Sequence, residues 1–151
     1  DHIKPAVSAE GRLDSWLVAM KPGKPVAFGR VNDPAGGPGA AFIGLPGNPV
    51  SSFVTFILLV RPFVLRAQGV VDCVPKAIPL TAAFDWPRPD RRREFLRARI
   101  ADDGRVALFP NQGPGVLTST VWADGVIDNP PGQAIAAGDR VSFIPYSELL
   151  S

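Results

Sequence analysis

At 151 residues, 46% of them apolar, the chain has the hydrophobic material for one ordinary domain or two small ones, which excludes a disordered or fibrous protein. Sixteen basic against fourteen acidic residues leave a net charge of +2, too weak a field to mark a nucleic-acid binder even with a pI near 9. A single cysteine, Cys73, excludes an internal disulfide and fits a reducing compartment, so the cytoplasm is the expected location.

No membrane span is expected. The longest uninterrupted apolar run is FILLV, and the wider stretch from Val50 to Val60 contains Ser51, Ser52 and Thr55, short of the about 20 residues a span requires. The opening DHIKPAVSAE has no initiator Met and no signal-peptide pattern, so it reads as a cut chain with no export implied. Glycine and proline make up about a fifth of the residues but are scattered between apolar runs, the mark of a turn-rich chain rather than a repeat.

In chain order, Ile3 to Glu10 reads as the end of a helix closed by Gly11, and Trp16 to Met20 as a buried strand. After KPGKP, VAFGRV reads as a second extended segment, and NDPAGGPG as a loop. Ala41 to Leu45 is expected to be a short buried strand, PGN a turn, and Pro49 the opening of a helix with Asn48 as its N-cap. That helix should run through SSFVTFILLV until Pro62 kinks or ends it, with Gly69 closing the segment. Three strands and one long helix in about 70 residues make a truncated α/β unit, the tail of a larger domain.

Beyond VVDCVPKAIP the texture changes to short strands: LTAAFDW, EFLRARI, RVALF and RVSFIP, with a hairpin signal at Asp102-Asp103-Gly104. Alternation along Arg93 to Ile100 sets Arg93, Phe95, Arg97 and Arg99 on one face and Leu96, Ala98 and Ile100 on the other, so that one face packs while the other presents guanidinium groups. GVLTSTVWADG reads as a short helix stopped by Gly125. The expected architecture is an α/β piece over residues 1–72 and a small, mostly β, barrel-like piece over 73–151.

Few residues offer chemistry. The sole histidine, His2, has no partner for a triad or a zinc site, and Cys73 lies in a Val-rich connector as a linker or buried thiol. Lys21 and Lys24 flank a turn directly after a buried segment, which reads either as a solvated turn or as an oxyanion site. GLPGNPVSS favours the second, because a strand, a glycine-containing turn and a helix start leave free backbone N–H groups beside a concavity. Its spacing matches neither GxxxxGK[ST] nor GxGxxG, so nucleotide binding does not follow from it. Arg97 and Arg99 add anion-seeking groups, or form a solvated basic face. Residues 88–99 carry six arginines but no stripe of exposed aromatics, and no nucleic-acid partner is expected.

MKPGKPVAFG, FIGLPGNPVSSFVTF and LVRPFVLRAQG, followed by REFLRARI, NQGPGVLTSTVWADGVI and GDRVSFIPY, resemble in order and spacing the molybdopterin molybdenumtransferase family, the MoeA and gephyrin-like proteins. The resemblance covers essentially the whole chain. It implies the end of a MogA/MoaB-like molybdopterin-binding domain followed by the family's C-terminal β domain. It also implies insertion of molybdate into adenylylated molybdopterin with release of AMP, use of Mg2+, and a homodimer whose pocket lies between the α/β domain and the partner's C-terminal domain. A MogA-like adenylyltransferase is an implied partner.

Carried over by motif, Asp1 matches the acidic residue at the magnesium and phosphate end of the site. Lys21 matches the lysine that begins KPGK, Pro46 and Pro49 the prolines of the pocket loop, and Arg97 an arginine of the C-terminal domain. Asp1, Lys21 and Arg97 are thus the expected catalytic residues, with Asp1 on the metal. Lys24, Gly44, Pro46, Gly47, Asn48, Pro49 and Ser51 are expected to bind substrate. The chain departs from the pattern at Leu17, where a second basic residue is usual, at Ala98, where glycine is usual, and at Pro114, where QGPG stands for QGSG. An isolated chain of this length is expected to be inactive as a transferase, and a non-catalytic dimerisation or scaffolding relative is the alternative reading.

Overall fold

The computed structural model describes residues 2–15, 19–23 and 26–150. Asp1, Leu17 and Lys24 lie outside the described residues, as does most of the strand expected over Trp16 to Met20.

Helix α1 (Ile3–Glu10) leads directly into strand β1 (Gly11–Ser15). With β3 (Ala27–Val31) and β4 (Ala40–Gly44) it forms a three-stranded antiparallel sheet in the order β1-β3-β4. Nothing in the residues of β1 predicts a strand, since Gly, Asp and Ser are poor strand formers, and pairing with β3 overrides that preference. A side chain at Gly11 would place its Cβ 1.9 Å from the Arg30 carbonyl oxygen, so only glycine permits this approach.

Helix α2 runs without a break from Pro49 to Ala67. Asn48 occupies the N-cap position as expected, but its side chain makes no capping hydrogen bond. Pro62 does not end the helix. The turn before it, Phe56–Val60, is π-helical, with the Arg61 N–H bonding back to the Phe56 carbonyl. The wider turn accommodates a residue with no N–H to give. The helix closes as the sequence predicts, at Gly69 with φ +93: the Val70 N–H bonds to Leu65 O and the Gly69 N–H to Arg66 O, the two bonds of a Schellman motif.

The second sheet has six strands. Its path is β2-β6-β8-β9-β5, built from β2 (Met20–Lys21), β5 (Ile78–Thr81), β6 (Arg93–Ile100), β8 (Gly125–Asn129) and β9 (Arg140–Pro145), with β7 (Val106–Leu108) pairing to β6. The hairpin at Asp102-Asp103-Gly104 is present, with Gly104 at φ +79. Ala82 bridges to Val106, bringing the two ends of the sheet together. Three elements differ from expectation. The strand expected over LTAAFDW ends at Thr81, and beyond it only Ala82 and Trp86 form isolated bridges. Gly125 does not merely follow helix α3 (Thr118–Trp122) but opens a strand, and Tyr146–Leu150 forms a final helix, α4.

The division of the chain is also less clean than the composition suggests. Met20 and Lys21 belong to the second sheet, pairing in parallel with Arg93 and Glu94. One apolar cluster, around Leu96, Ile127 and Phe143, covers one face of that sheet. A second joins Ile57 of α2 to Val126, Ile144 and Leu149, and a third joins Val50 and Val54 to Met20. By length and mean hydropathy alone α2 is long and apolar enough to cross a membrane, since the helix extends beyond the Val50 to Val60 stretch. Its inner face is instead occupied by these contacts, while Phe56, Phe63 and Val64 are exposed.

Candidate functional site

The parallel register of β2 against β6 places Lys21 beside Glu94 and brings the turn that follows, Pro22-Gly23, over the start of β6. There a cleft of about 550 Å³ opens, lined by Lys21, Pro22, Gly23, Asn48, Arg92, Gln112, Gly113 and Pro114. Three segments far apart in sequence meet in it: the lysine turn, the helix-capping turn and the QGPG loop.

Lys21 carries the principal free donors. Its Nζ lies 3.5 Å from Glu94 Oε1 and 3.6 Å from Asp90 Oδ2, near enough for charge attraction but too long for good hydrogen bonds. Arg92 donates to both oxygens of Asp90 at 3.1 and 2.9 Å and reaches across to the Gly23 carbonyl at 3.3 Å, tying the lysine turn to the second sheet. Hydrogen bonds from the Arg92 side chain, and then from its backbone N–H, hold the Asp90 carboxyl well below the usual carboxylate range, so it stays anionic.

The predicted residues separate into those at the cleft and those behind it. Lys21 and Asn48 line it. Pro46 and Ser51 are buried behind Gly23: a Cβ at Gly23 would lie 3.5 Å from the Pro46 ring and 3.3 Å from the Ser51 Cβ. The Ser52 hydroxyl donates to the Pro46 carbonyl and fastens the turn to α2. Gly44 ends β4, and the exposed Gly47 and Pro49 flank Asn48 without lining the cleft.

Arg97 corrects the picture of a guanidinium-presenting strand face. Its side chain is 1% exposed and lies beneath the QGPG loop. It donates to Ser119 Oγ at 3.1 Å, to the Gly113 carbonyl at 3.2 Å and to the Phe95 carbonyl at 3.4 Å. Gln112 completes the latch, accepting from the Arg97 N–H and donating to the Arg97 and Phe109 carbonyls, each at 2.9 Å. Burial pushes the Arg97 guanidinium down to about 10. On the same strand, Arg93 is paired with Asp128 and Arg99 stacks over Trp122.

Sequence reasoning missed Arg92, Asp90 and Glu94, which sit in the arginine-rich RPDRRRE run. A magnesium site is not offered by the described residues. No three or more His, Cys, Asp or Glu converge among them, and the carboxylates nearest the cleft are engaged by Arg92, Trp86 and Lys21. Asp1 lies outside them.

The family pattern described as MoeA C-terminal region (domain IV) matches residues 79–146. A molybdopterin molybdenumtransferase of Haemophilus influenzae is 31% identical over 157 residues, covering 99% of this chain and 37% of that protein. Residues 79–146 thus match the MoeA C-terminal domain, and most of the chain is similar to molybdopterin molybdenumtransferases. Molybdopterin molybdenumtransferase 2 of Mycobacterium tuberculosis is 35% identical over 130 residues, 82% of this chain and 30% of its own length. A crystal structure of a molybdopterin biosynthesis MoeA protein from Pyrococcus horikoshii superposes with a TM-score of 0.75 at 26% identity, over 95% of this chain and 34% of that one. The chain thus spans about a third of the length of these relatives.

Proposed function

We propose that this chain acts in molybdenum cofactor biosynthesis as part of a MoeA-family protein, supplying one wall of a site at which molybdate is inserted into adenylylated molybdopterin and AMP is released. The observation that carries the proposal is the cleft itself. An ammonium is held by two carboxylates without its N–H groups being consumed, and shares the cleft with the Gln112–Pro114 loop and with Asn48 at the start of a long helix. Molybdate, the phosphate linkage and the dithiolene are anionic or electron-rich, and transfer among them needs cations fixed in place before the ligand arrives.

In this reading Lys21 donates to oxygens of the phosphate that molybdopterin carries, free or linked to AMP, and stabilises the charge that gathers there as AMP departs. Arg92 keeps the lysine turn closed, Asn48 offers its amide at the helix start, and Arg97 shapes the loop opposite without touching the ligand. Asp1 and Lys24, together with a partner subunit and sequence beyond these residues, supply the remaining walls, and Asp1 is the group to which the family resemblance assigns Mg2+. The finer architecture we propose is the end of a MogA/MoaB-like domain over 1–72 and a barrel-like β domain over 73–151. The protein works as a cytoplasmic homodimer served by a MogA-like adenylyltransferase. Leu17 and Pro114 remove two polar groups and favour the second reading, a non-catalytic dimerisation or scaffolding relative.

Two measurements separate these. Anaerobic titration of the chain with molybdopterin should show saturable binding that Lys21→Met weakens at least tenfold. Grafted into the Haemophilus influenzae relative in place of the segment it matches, the chain should support AMP release from adenylylated molybdopterin with magnesium and molybdate. A folded dimeric graft that binds molybdopterin but releases no AMP would leave the scaffolding reading standing.

A further inference from the structure

We infer that Glu94 is a positioning residue for Lys21, an inference that rests on the proposed role of Lys21 as the anion-binding cation of the cleft. Glu94 is fully buried, and a carboxylate removed from water is costly unless it is paired and hydrogen-bonded. Its hydrogen bonds are distributed unevenly. Oε2 accepts all three: from the Trp86 indole N–H at 2.8 Å, the Asp90 backbone N–H at 3.1 Å and the Asn129 amide at 3.4 Å. Oε1 has no hydrogen-bond partner among the described residues, and Lys21 Nζ stands 3.5 Å from it.

A glutamine carbonyl could receive the same three donors, so the fold alone does not require the charge. The second oxygen is accounted for by the cation it faces. Residues paired across neighbouring strands project to the same side of the sheet, and the Lys21–Glu94 register therefore directs the ammonium and the carboxylate towards each other. Asp90, the other nearby carboxylate, lies 3.6 Å from the ammonium but is bonded twice by the Arg92 side chain, so its charge is shared with that guanidinium. At 3.5 Å, Glu94 attracts the lysine head without taking an N–H from it. The ammonium is thereby fixed at the floor of the cleft with its donors available to an incoming anion.

The test is a double-mutant cycle read by anaerobic molybdopterin titration of the 151-residue chain, using Glu94→Gln, Lys21→Met and the pair. Glu94→Gln is expected to weaken binding about tenfold in the parent, the scale of a lost buried charge contact, and to have no further effect when Lys21 is already Met. Equal weakening in both backgrounds would make Glu94 part of the scaffold only, and unchanged or tighter binding of Glu94→Gln would also overturn the inference. If Glu94→Gln does not fold, Glu94→Asp keeps the charge but withdraws it by one methylene. It should weaken binding in the parent and not in the Lys21→Met background, and an equal effect in both would overturn the inference. Absence of molybdopterin binding by the parent chain would instead remove the functional reading itself, a result distinct from any of these.

Discussion

Replacing Arg97 by methionine tests whether this arginine builds the site or touches the ligand. The substitution keeps most of the buried volume but removes donors to Ser119 Oγ at 3.1 Å and to the Gly113 carbonyl at 3.2 Å, besides a weaker one at 3.4 Å. Two charge-assisted bonds contribute about 1.5 to 3 kcal/mol each, and relief of a buried guanidinium returns part of that, leaving a net loss of about 2 to 4 kcal/mol. For a chain of this size each kcal/mol moves the melting temperature by about 2 to 4 °C, so a fall of about 5 to 15 °C is expected. The assay is thermal unfolding by circular dichroism paired with molybdopterin titration well below the transition. Arg97→Met should melt earlier and bind less tightly, because Gly113 and Pro114 lose their anchor. Lys21→Met should bind poorly while melting near the parent. An Arg97→Met chain that melts like the parent yet fails to bind would refute the positioning role and place the guanidinium on the ligand.

Three further outcomes are expected. Gly23→Ala forces a side chain into φ +138 against Ser51 and should cost about 1 to 3 kcal/mol while disturbing the lysine turn; urea denaturation and the same titration would both register it. Gly125→Ala would set its Cβ 2.3 Å from the Ile144 carbonyl oxygen, so β8 and β9 could not keep their register, and the soluble yield and melting transition should collapse; a parent-like melt would contradict the pairing. Because the folded-state pKa of Asp90 is depressed, its contribution is complete above about pH 4, the unfolded value, and is lost as pH falls through the folded one. The stability gap between parent and Asp90→Asn should therefore be widest at neutral pH and narrow under acid, whereas a gap independent of pH would reject the ion pair as its source.

Much of the path of the chain was legible because local signals and tertiary structure agree. Asn48-Pro49 does start a helix, Gly69 does close it, and Asp102-Asp103-Gly104 does turn a hairpin. The misreadings fall where a distant partner decides. Gly11 to Ser15 has no strand character until β3 lies against it, and Gly125 resembles a helix stop until its close approach to Ile144 is seen. The site divides in the same way. Lys21 and Asn48 were visible because turn motifs mark them. Glu94 was hidden among arginines, since nothing local indicates that Trp86 and Asn129 will bury it or that a lysine 73 positions earlier will face it. Arg97 was visible, but strand alternation assigned it to solvent because the pattern carries no information about α3 and the loop that cover it.

The two-residue strand β2 bears on how this protein can be taken apart. A cut in the connector near Cys73, where the composition changes, looks like a natural place to divide the chain for expression or protease mapping. The downstream piece would then carry β6 with the edge beside Arg93 and Glu94 stripped of its ladder, an invitation to self-association. The upstream piece would carry Lys21 with neither carboxylate beside it. A nicked chain should therefore remain together as a non-covalent pair, and halves made separately should regain a competent cleft only when mixed.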